Sequence, residues 1–339
     1  DDAVVDYATV LGADIRLIVD EVSAIDPAQR SVALASGGAV GYDYLVYAVG
    51  SRSATPTVPG AAEFAHPVAE IEHARRLRAA LSAADPAAPL TVVGGGPTGI
   101  ETAAELAEQG RSVTLVCGGG LGPYLSGPGR RSVSRRLAKL RVTVLEATVA
   151  AVTKDAVVLT DGRELPSAVT IWTAGFTAPD LAARSGLRTD AAGRLLTDET
   201  LTSIDDPRIV AAGDAAAPSG EPLRMSCQAA IPLGVQAANT VLSRIAGTEP
   251  EVISMAFVGQ CISLGRAGGI IQSARTDDTA LPLFVGGRMA AAIKEAVCAS
   301  TVSALARAAR KPSSVFWVQG GQLPRRLPAG RRGVPLPGP

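Results

Sequence analysis

The stretch that most constrains this chain is Leu90 to Glu105, Leu-Thr-Val-Val-Gly-Gly-Gly-Pro-Thr-Gly-Ile-Glu-Thr-Ala-Ala-Glu. An apolar run, Leu90 to Val93, reads as a buried strand. A glycine turn follows and an alanine-rich helix begins. Gly94, Gly96 and Gly99 fit the spacing G-x-G-x-x-G. In that spacing the first glycine permits a tight turn, the second lets a pyrophosphate approach the backbone, and the third lets helix and strand pack closely. The N–H groups and dipole at the helix start, around Pro97 and Thr98, favour phosphate. A second strand, Ser112 to Val116, completes a β-α-β unit. The alternative is an ordinary tight strand–helix turn with no ligand.

Composition narrows what the rest can do. The chain has 339 residues, enough for two or three domains with real cores, and no formal net charge. Nothing in that balance suggests nucleic acid as a partner. Cys117, Cys227, Cys261 and Cys298 stand far apart with no Cys-x-x-Cys, which fits a reducing compartment and supports neither a zinc ribbon nor a local redox disulfide. The two histidines, His66 and His73, share one surface-like segment, so neither a His-rich metal site nor a catalytic histidine elsewhere is expected. No metal is expected. A run of about 18 apolar residues is absent, so no transmembrane segment is expected. Nor is a signal peptide.

Read in order, the chain shows a repeated design. Asp14 to Val19 is strand-like. Val32–Leu34 and Ala39–Tyr42 flank Ser36-Gly37-Gly38, a hairpin signature. A short strand then runs into Ala48-Val49-Gly50. Thr55 to Gly60 reads as a crossover, and Val68 to Ala84 as a helix with a solvated arginine face. The Gly-rich loop after Ser112–Val116, Cys117 to Pro123, lacks the third glycine and a helix start. It reads as a loop beside the adenosine end of a ligand. Arg130 to Leu140 is a basic helix. A second hairpin, around Asp161-Gly162, leads to Val169–Trp172 and then Thr173-Ala174-Gly175. The pattern of hairpin, strand and strand-end glycine thus occurs twice, which suggests two domains of one design. Ile209 to Asp214 is a buried strand ending in Gly213-Asp214, where a carboxylate can accept from ligand hydroxyls or cap the next helix. Gln228 to Ile245 is a helix interrupted early by Pro232. Val252–Leu264 and Gly269–Ser273 are strands, Arg288–Arg310 is a helix, and the Pro-, Gly- and Arg-rich tail from Leu323 is expected to be disordered.

Four motifs in order, Tyr44-Leu45-Val46-Tyr47-Ala48-Val49-Gly50, Gly94 to Glu101, Ile171-Trp172-Thr173-Ala174-Gly175 and Ile209 to Asp214, give the chain a resemblance to the pyridine-nucleotide:disulfide oxidoreductase superfamily. It looks closest to the type II NADH dehydrogenase-like branch. The resemblance covers about residues 14–310 and implies an α/β fold of two Rossmann-like nucleotide-binding domains. Residues 1–55 and 179–250 would form a discontinuous, N-terminally incomplete FAD domain, 56–178 the NAD(P)H domain, 251–320 a small C-terminal α+β region and 321–339 a tail. It implies FAD and NAD(P)H as cofactors. NAD(P)H would dock at Gly94, Gly96, Pro97, Thr98 and Gly99, with Glu101, the one catalytic candidate, near nicotinamide and flavin. Ala48, Val49, Gly50, Thr173, Ala174 and Gly175 would line the cofactors. Gly213 and Asp214 would hold the FAD ribityl–pyrophosphate region and Gln228 would lie under the isoalloxazine. Hydride would pass from NAD(P)H to FAD and electrons onward to a small-molecule acceptor.

The chain also departs from that family. The N-terminal β-α-β that holds the FAD adenosine diphosphate is expected to be missing, on the order of 30 residues. An acidic residue usually follows the second strand about 20 residues past the glycines; here Cys117 and glycines stand there, and Arg130 or Arg131 could reach a 2′-phosphate, so NADH and NADPH both stay open. Pro232 replaces a second glutamine of the flavin–quinone segment, which weakens the case for a quinone acceptor. A non-catalytic NAD(P)H-binding remnant is the alternative reading. A homodimer stays open, as does a cytoplasmic location or one peripheral to the inner face of a membrane.

Overall fold

The computed structural model describes residues 6–7, 10–12, 14–219, 223–311 and 315–320. The chain forms two compact units, one of Asp1–Arg52, Phe176–Phe257 and Leu305–Pro339, the other of Ser53–Gly175 and Val258–Ala304. Each is built from noncontiguous pieces.

The second unit is organised by a five-stranded parallel sheet in the order Ala65–Pro67, Val169–Trp172, Pro89–Val93, Ser112–Val116, Thr143–Leu145. Side chains alternate across a strand, so a sheet covered on both faces needs apolar residues at nearly every position. Leu90, Val92, Leu115 and Ile171 point into one core with Ile100, Ala103 and Ala104 of the turn helix Pro97–Glu108 and Val133 and Leu137 of the basic helix Gly127–Lys139. Val93, Val116 and Trp172 point the other way, against Val149, Val152, Val157 and Leu159. Those belong to an antiparallel meander, Val149–Val152, Ala156–Leu159 and Glu164–Pro166.

A further antiparallel sheet, Gly259–Ser263, Gly269–Ala274 and Ala280–Gly286, contributes Ile262, Leu264 and Ile270 to the first core. Gln272 fastens it. Its buried Oε1 accepts from Ser126 Oγ at 2.8 Å and Ser126 N at 3.2 Å, and its Nε2 donates to Leu283 O at 2.9 Å. Ser126 is the N-cap of the basic helix and accepts from Gly129 N at 3.2 Å. A Cβ on Gly129 would lie 2.3 Å from Gln272 Oε1, so that residue's bareness is part of the same fastening.

In the first unit another antiparallel meander, Val22–Asp26, Ser31–Leu34 and Ala39–Gly41, precedes the strand Leu45–Tyr47, which pairs in parallel with Ile209–Ala211. The repeated design is therefore visible in three dimensions: each meander leads to a strand whose end bears a glycine in the left-handed region, Gly50 at φ +66° and Gly175 at φ +91°. The helix Cys227–Ile245 closes a core of Leu201, Val210, Leu233, Ile253, Met255 and Phe257.

Several expectations change. Asp14–Val19 is not a strand; its apolar side chains are exposed and no described strand runs beside it to complete a ladder. The apolar run 252–264 is not one strand. Ile253 to Phe257 is irregular chain buried in the first unit, while Gly259, at φ +142°, opens the hairpin of the second. The strand Ala280–Gly286 was hidden by Pro282, which is tolerated because this strand is at the edge of its sheet. Pro232 does not interrupt its helix, which runs through it. The helix Gly287–Arg310 is long and apolar enough to cross a membrane by length and composition alone, a test that helices of soluble proteins also pass. The tail from Leu323 lies outside the described residues.

Replacing Gln272 with alanine leaves the Ser126 amide and the Leu281 and Leu283 carbonyls without this partner. Denaturant titration should show a loss of about 2–3 kcal/mol.

Candidate functional site

In the second unit the three motif glycines stand in three different surroundings. Gly94 has φ +129°, and a Cβ there would lie 2.4 Å from Thr173 Oγ1. Gly99 has an ordinary helical backbone, but a Cβ there would meet Gly94 O at 1.9 Å and Thr173 Oγ1 at 2.7 Å. Gly96 differs from both: it is extended, φ −77° and ψ 179°, and a Cβ there would meet nothing within 4 Å. Internal packing explains Gly94 and Gly99. It does not explain Gly96, whose missing side chain leaves open space at the N-terminus of the turn helix, where N–H groups face outward. Pro97 occupies the first turn, a position that loses no helix bond.

Thr173, Ala174 and Gly175 lie beside this turn. Thr173 N and Oγ1 both donate to Val93 O at 2.9 Å. Trp172 Nε1 donates to Ala174 O at 2.9 Å, and Ala54 N to Gly175 O at 3.2 Å. The loop after the second strand is also present: Gly122 N donates to Gly95 O at 2.8 Å. The Cys117 thiol faces inward and is fully buried; burial pushes it up to about 11, with the Glu146 carboxylate adding to the rise.

Glu101, one turn into the helix, is engaged from two sides. Its Oε1 accepts from Ser263 N at 2.9 Å and from Lys294 Nζ at 3.0 Å. Lys294 Nζ also donates to Cys261 O at 3.2 Å. Burial pulls the Lys294 ammonium down, but the Glu101 carboxylate outweighs it and holds the group above the ordinary lysine value. The stability that the raised lysine contributes is present below its ordinary value of about 10.4 and is lost as pH rises through the raised one. The sequence reading missed Lys294. It is the one lysine in an alanine-rich helix whose other cations are arginines, a weak signal that needs the fold to acquire meaning. A wide cleft of about 890 Å³ adjoins this pair, lined by Glu101, Glu105, Ser263, Arg266, Arg288 and Glu295 among others.

The first unit brings its own predicted residues together. Gly50 and Gly213 both adopt left-handed φ, +66° and +62°. Asp214 ties their strand ends to the next helix: Oδ2 accepts from Ser51 Oγ at 2.7 Å and Oδ1 from Ser226 N at 3.0 Å. Ser226 is the N-cap of Cys227–Ile245. Asp214 thus supports the helix start through its N-cap residue, and each carboxylate oxygen keeps a further lone pair. Ala48 and Val49 precede Gly50 on the same strand end. Gln228, in the helix's first turn, has a buried Oε1 that accepts no hydrogen bond. It lines an apolar slot of about 230 Å³ with Ile231, Pro232, Ala256, Phe316 and Trp317. Among the described residues no group of three or more His, Cys, Asp or Glu could hold a metal ion.

Parallel strands ending over a glycine turn, with open space at a helix N-terminus, define a nucleotide-binding protein of the α/β class. Comparison with known proteins fixes the family. The profile described as pyridine nucleotide-disulphide oxidoreductase matches residues 4–234. An NADH dehydrogenase-like protein of Mycobacterium tuberculosis is 34% identical over 286 residues, 77% of this chain and 71% of that protein. A ferredoxin reductase from Rhodopseudomonas palustris is 25% identical, with a TM-score of 0.65 over 77% of this chain and 65% of that one. NDH2 from Plasmodium falciparum, solved with NADH, shares the fold with a TM-score of 0.70 over 86% of this chain and 81% of that one, at 16% identity. The chain belongs to the pyridine nucleotide-disulphide oxidoreductase family, whose cofactors are FAD and NAD(P)H.

The residues fit those groups unequally. The open backbone at Gly96 fits a dinucleotide pyrophosphate. The glycine strand ends at Gly50 and Gly213 and the orphaned Gln228 amide fit the ribityl and ring portions of a flavin. No second glycine turn for the FAD diphosphate occurs among the described residues.

Two outcomes separate these roles. Gly96→Val should leave the melting temperature nearly unchanged while weakening NAD(P)H binding at least tenfold by fluorescence titration, because only a ligand contests that space. Gly99→Val should lower stability by roughly 2 kcal/mol or more, since helix and strand must part. Alkylation with iodoacetamide near pH 8 should modify the exposed Cys227 and Cys298 rapidly and leave Cys117 unreacted until the chain is denatured, as peptide mapping would show.

Proposed function

We propose that this chain acts as an FAD-dependent NAD(P)H oxidoreductase, NADH dehydrogenase-like, delivering electrons to a small-molecule acceptor. The observation that carries the reading is Gly96, a motif glycine whose bareness no internal contact requires. When bound, NAD(P)H supplies the hydride and FAD the redox centre.

The protein's share is binding and alignment. The second unit, with Gly94, Gly96, Pro97, Thr98 and Gly99, is the NAD(P)H domain in this reading. The Thr173–Gly175 strand end presses on the turn and fixes its depth. Glu101, held by Lys294 and Ser263, positions the start of the turn helix. The first unit, with Ala48, Val49, Gly50, Gly213, Asp214 and Gln228, is the FAD domain. The slot beside Gln228 has mostly apolar walls, which supports a small apolar acceptor. No side-chain nucleophile is required, which agrees with a chain holding two histidines. A cytoplasmic site of action, peripheral to a membrane through the exposed apolar residues Met289, Ile293 and Val297 of the helix Gly287–Arg310, belongs to the same proposal.

The test is optical. The purified protein, or the protein mixed with FAD and desalted, should show a flavin spectrum that bleaches when NAD(P)H is added without oxygen. A protein that binds NAD(P)H yet stays colourless with FAD would overturn the oxidoreductase reading and leave a nucleotide-binding protein without turnover.

A further inference from the structure

We propose that Glu146 sets the nucleotide preference of this chain, accepting the adenosine ribose hydroxyls of NADH and repelling the 2′-phosphate of NADPH. This deepens the reading of Gly94 to Gly99 as the dinucleotide turn and rests on it.

The argument starts from the sheet. With the pyrophosphate over the end of Pro89–Val93, the adenosine ribose falls toward the end of the neighbouring strand Ser112–Val116. An acidic side chain there is the ordinary means of holding a ribose. Here the position is Cys117, whose side chain is fully buried, followed by Gly118, Gly119 and Gly120, which have none. Taken alone, that strand end offers nothing to a ribose and nothing against a phosphate.

The next strand outward changes this. Thr143–Leu145 runs parallel to Ser112–Val116 with Leu145 opposite Val116, and Cys117 N donates to Leu145 O at 2.8 Å. The ladder therefore carries on past both strand ends, and the next residue on the outer strand is the exposed Glu146. A Cβ on Gly120 would lie 3.9 Å from Glu146 Oε1, and one on Gly118 would lie 3.7 Å from Ala147 O. On its other side the same loop touches the phosphate turn, since a Cβ on Gly95 would meet Gly120 O at 2.4 Å. The three glycines thus form a bare strip with the pyrophosphate turn along one edge and a carboxylate along the other. A Cβ on Gly119, in the middle of the strip, would meet nothing within 4 Å.

Such a strip suits a ribose lying on backbone with its hydroxyls directed at the carboxylate. The acidic group has moved one strand outward, and glycine at 118–120 is what lets it reach. The influence of Glu146 on the buried Cys117 thiol places its charge in this neighbourhood as well. The cations that could favour a phosphate, Arg130 and Arg131, are exposed on the basic helix, and Arg131 Nη1 lies 3.5 Å from where a Cβ on Gly127 would stand, folded over the start of that helix.

The experiment is a titration of the full chain with NADH and, separately, NADPH, followed by nicotinamide fluorescence, with Glu146→Gln and Glu146→Arg alongside. The wild-type chain should bind NADH at least tenfold more tightly than NADPH. Glu146→Gln should weaken NADH about tenfold, the loss of one hydrogen bond to a charged group, while NADPH binding stays level or tightens. Glu146→Arg should reverse the preference. A wild-type preference for NADPH, an unchanged ratio in Glu146→Gln, or an equal loss of both nucleotides would overturn the assignment while leaving the dinucleotide site in place. Binding of neither nucleotide by the wild-type chain would overturn the reading of the glycine turn itself, and this assignment with it.

Discussion

The approach that the glycine turn depends on is between two pieces of backbone. The turn helix starts so near the strand it follows that a single carbon on Gly99 would stand 1.9 Å from Gly94 O, with Thr173 Oγ1 completing the contact. That approach sets the depth of the turn and aims the helix N–H groups at the space above Gly96. It also brings the end of Val169–Trp172 alongside the end of Pro89–Val93. A helix set even an ångström further out would leave Ile100 and Ala103 without their place against Val92 and Leu115. The open space above Gly96 and the core packing therefore share one geometric cause, and the three glycines of the motif are separable by substitution because they serve it differently.

Much of this was legible in the sequence. The strand, turn and helix at 90–105 are local events, fixed by an apolar run, glycines and a proline at the first helical turn. The repeated meander followed by a strand-end glycine was legible for the same reason, since hairpin chemistry is written in adjacent residues. What escaped was nonlocal. Glu101 and Lys294 meet across a separation of 193 residues, and Glu146 gains its meaning only from the order of strands in the sheet. The run 252–264 misled because it is apolar throughout, yet its first part is buried in one unit and its second in the other. Apolar character reports burial and says nothing of which core receives it. Pro282 hid an edge strand for the complementary reason: a missing donor matters only where a neighbour needs it.

Asp214 shows why a structural and a ligand-binding reading of one residue need not compete. Its carboxylate gathers Ser51 from one strand end and Ser226 from the start of a helix. An acceptor already held in place by two donors loses little freedom on meeting a third. The same holds for Glu101, which Ser263 and Lys294 fix before any ligand arrives. In both units the candidate polar groups are immobilised by bonds to distant parts of the chain, while the glycines beside them supply room.

The interleaving of the two units bears on how the chain comes into being. Ile262, Leu264 and Ile270 belong to the core that Leu90 and Ile100 begin, and the lysine that neutralises Glu101 is synthesised nearly two hundred residues after it. During translation the parallel sheet must therefore wait with part of its apolar face uncovered while the intervening segment of the other unit is made. Neither unit can close as an independent early domain, so the order of synthesis and the order of folding part company. The long stretch between them is where such a nascent chain is most exposed to misassociation.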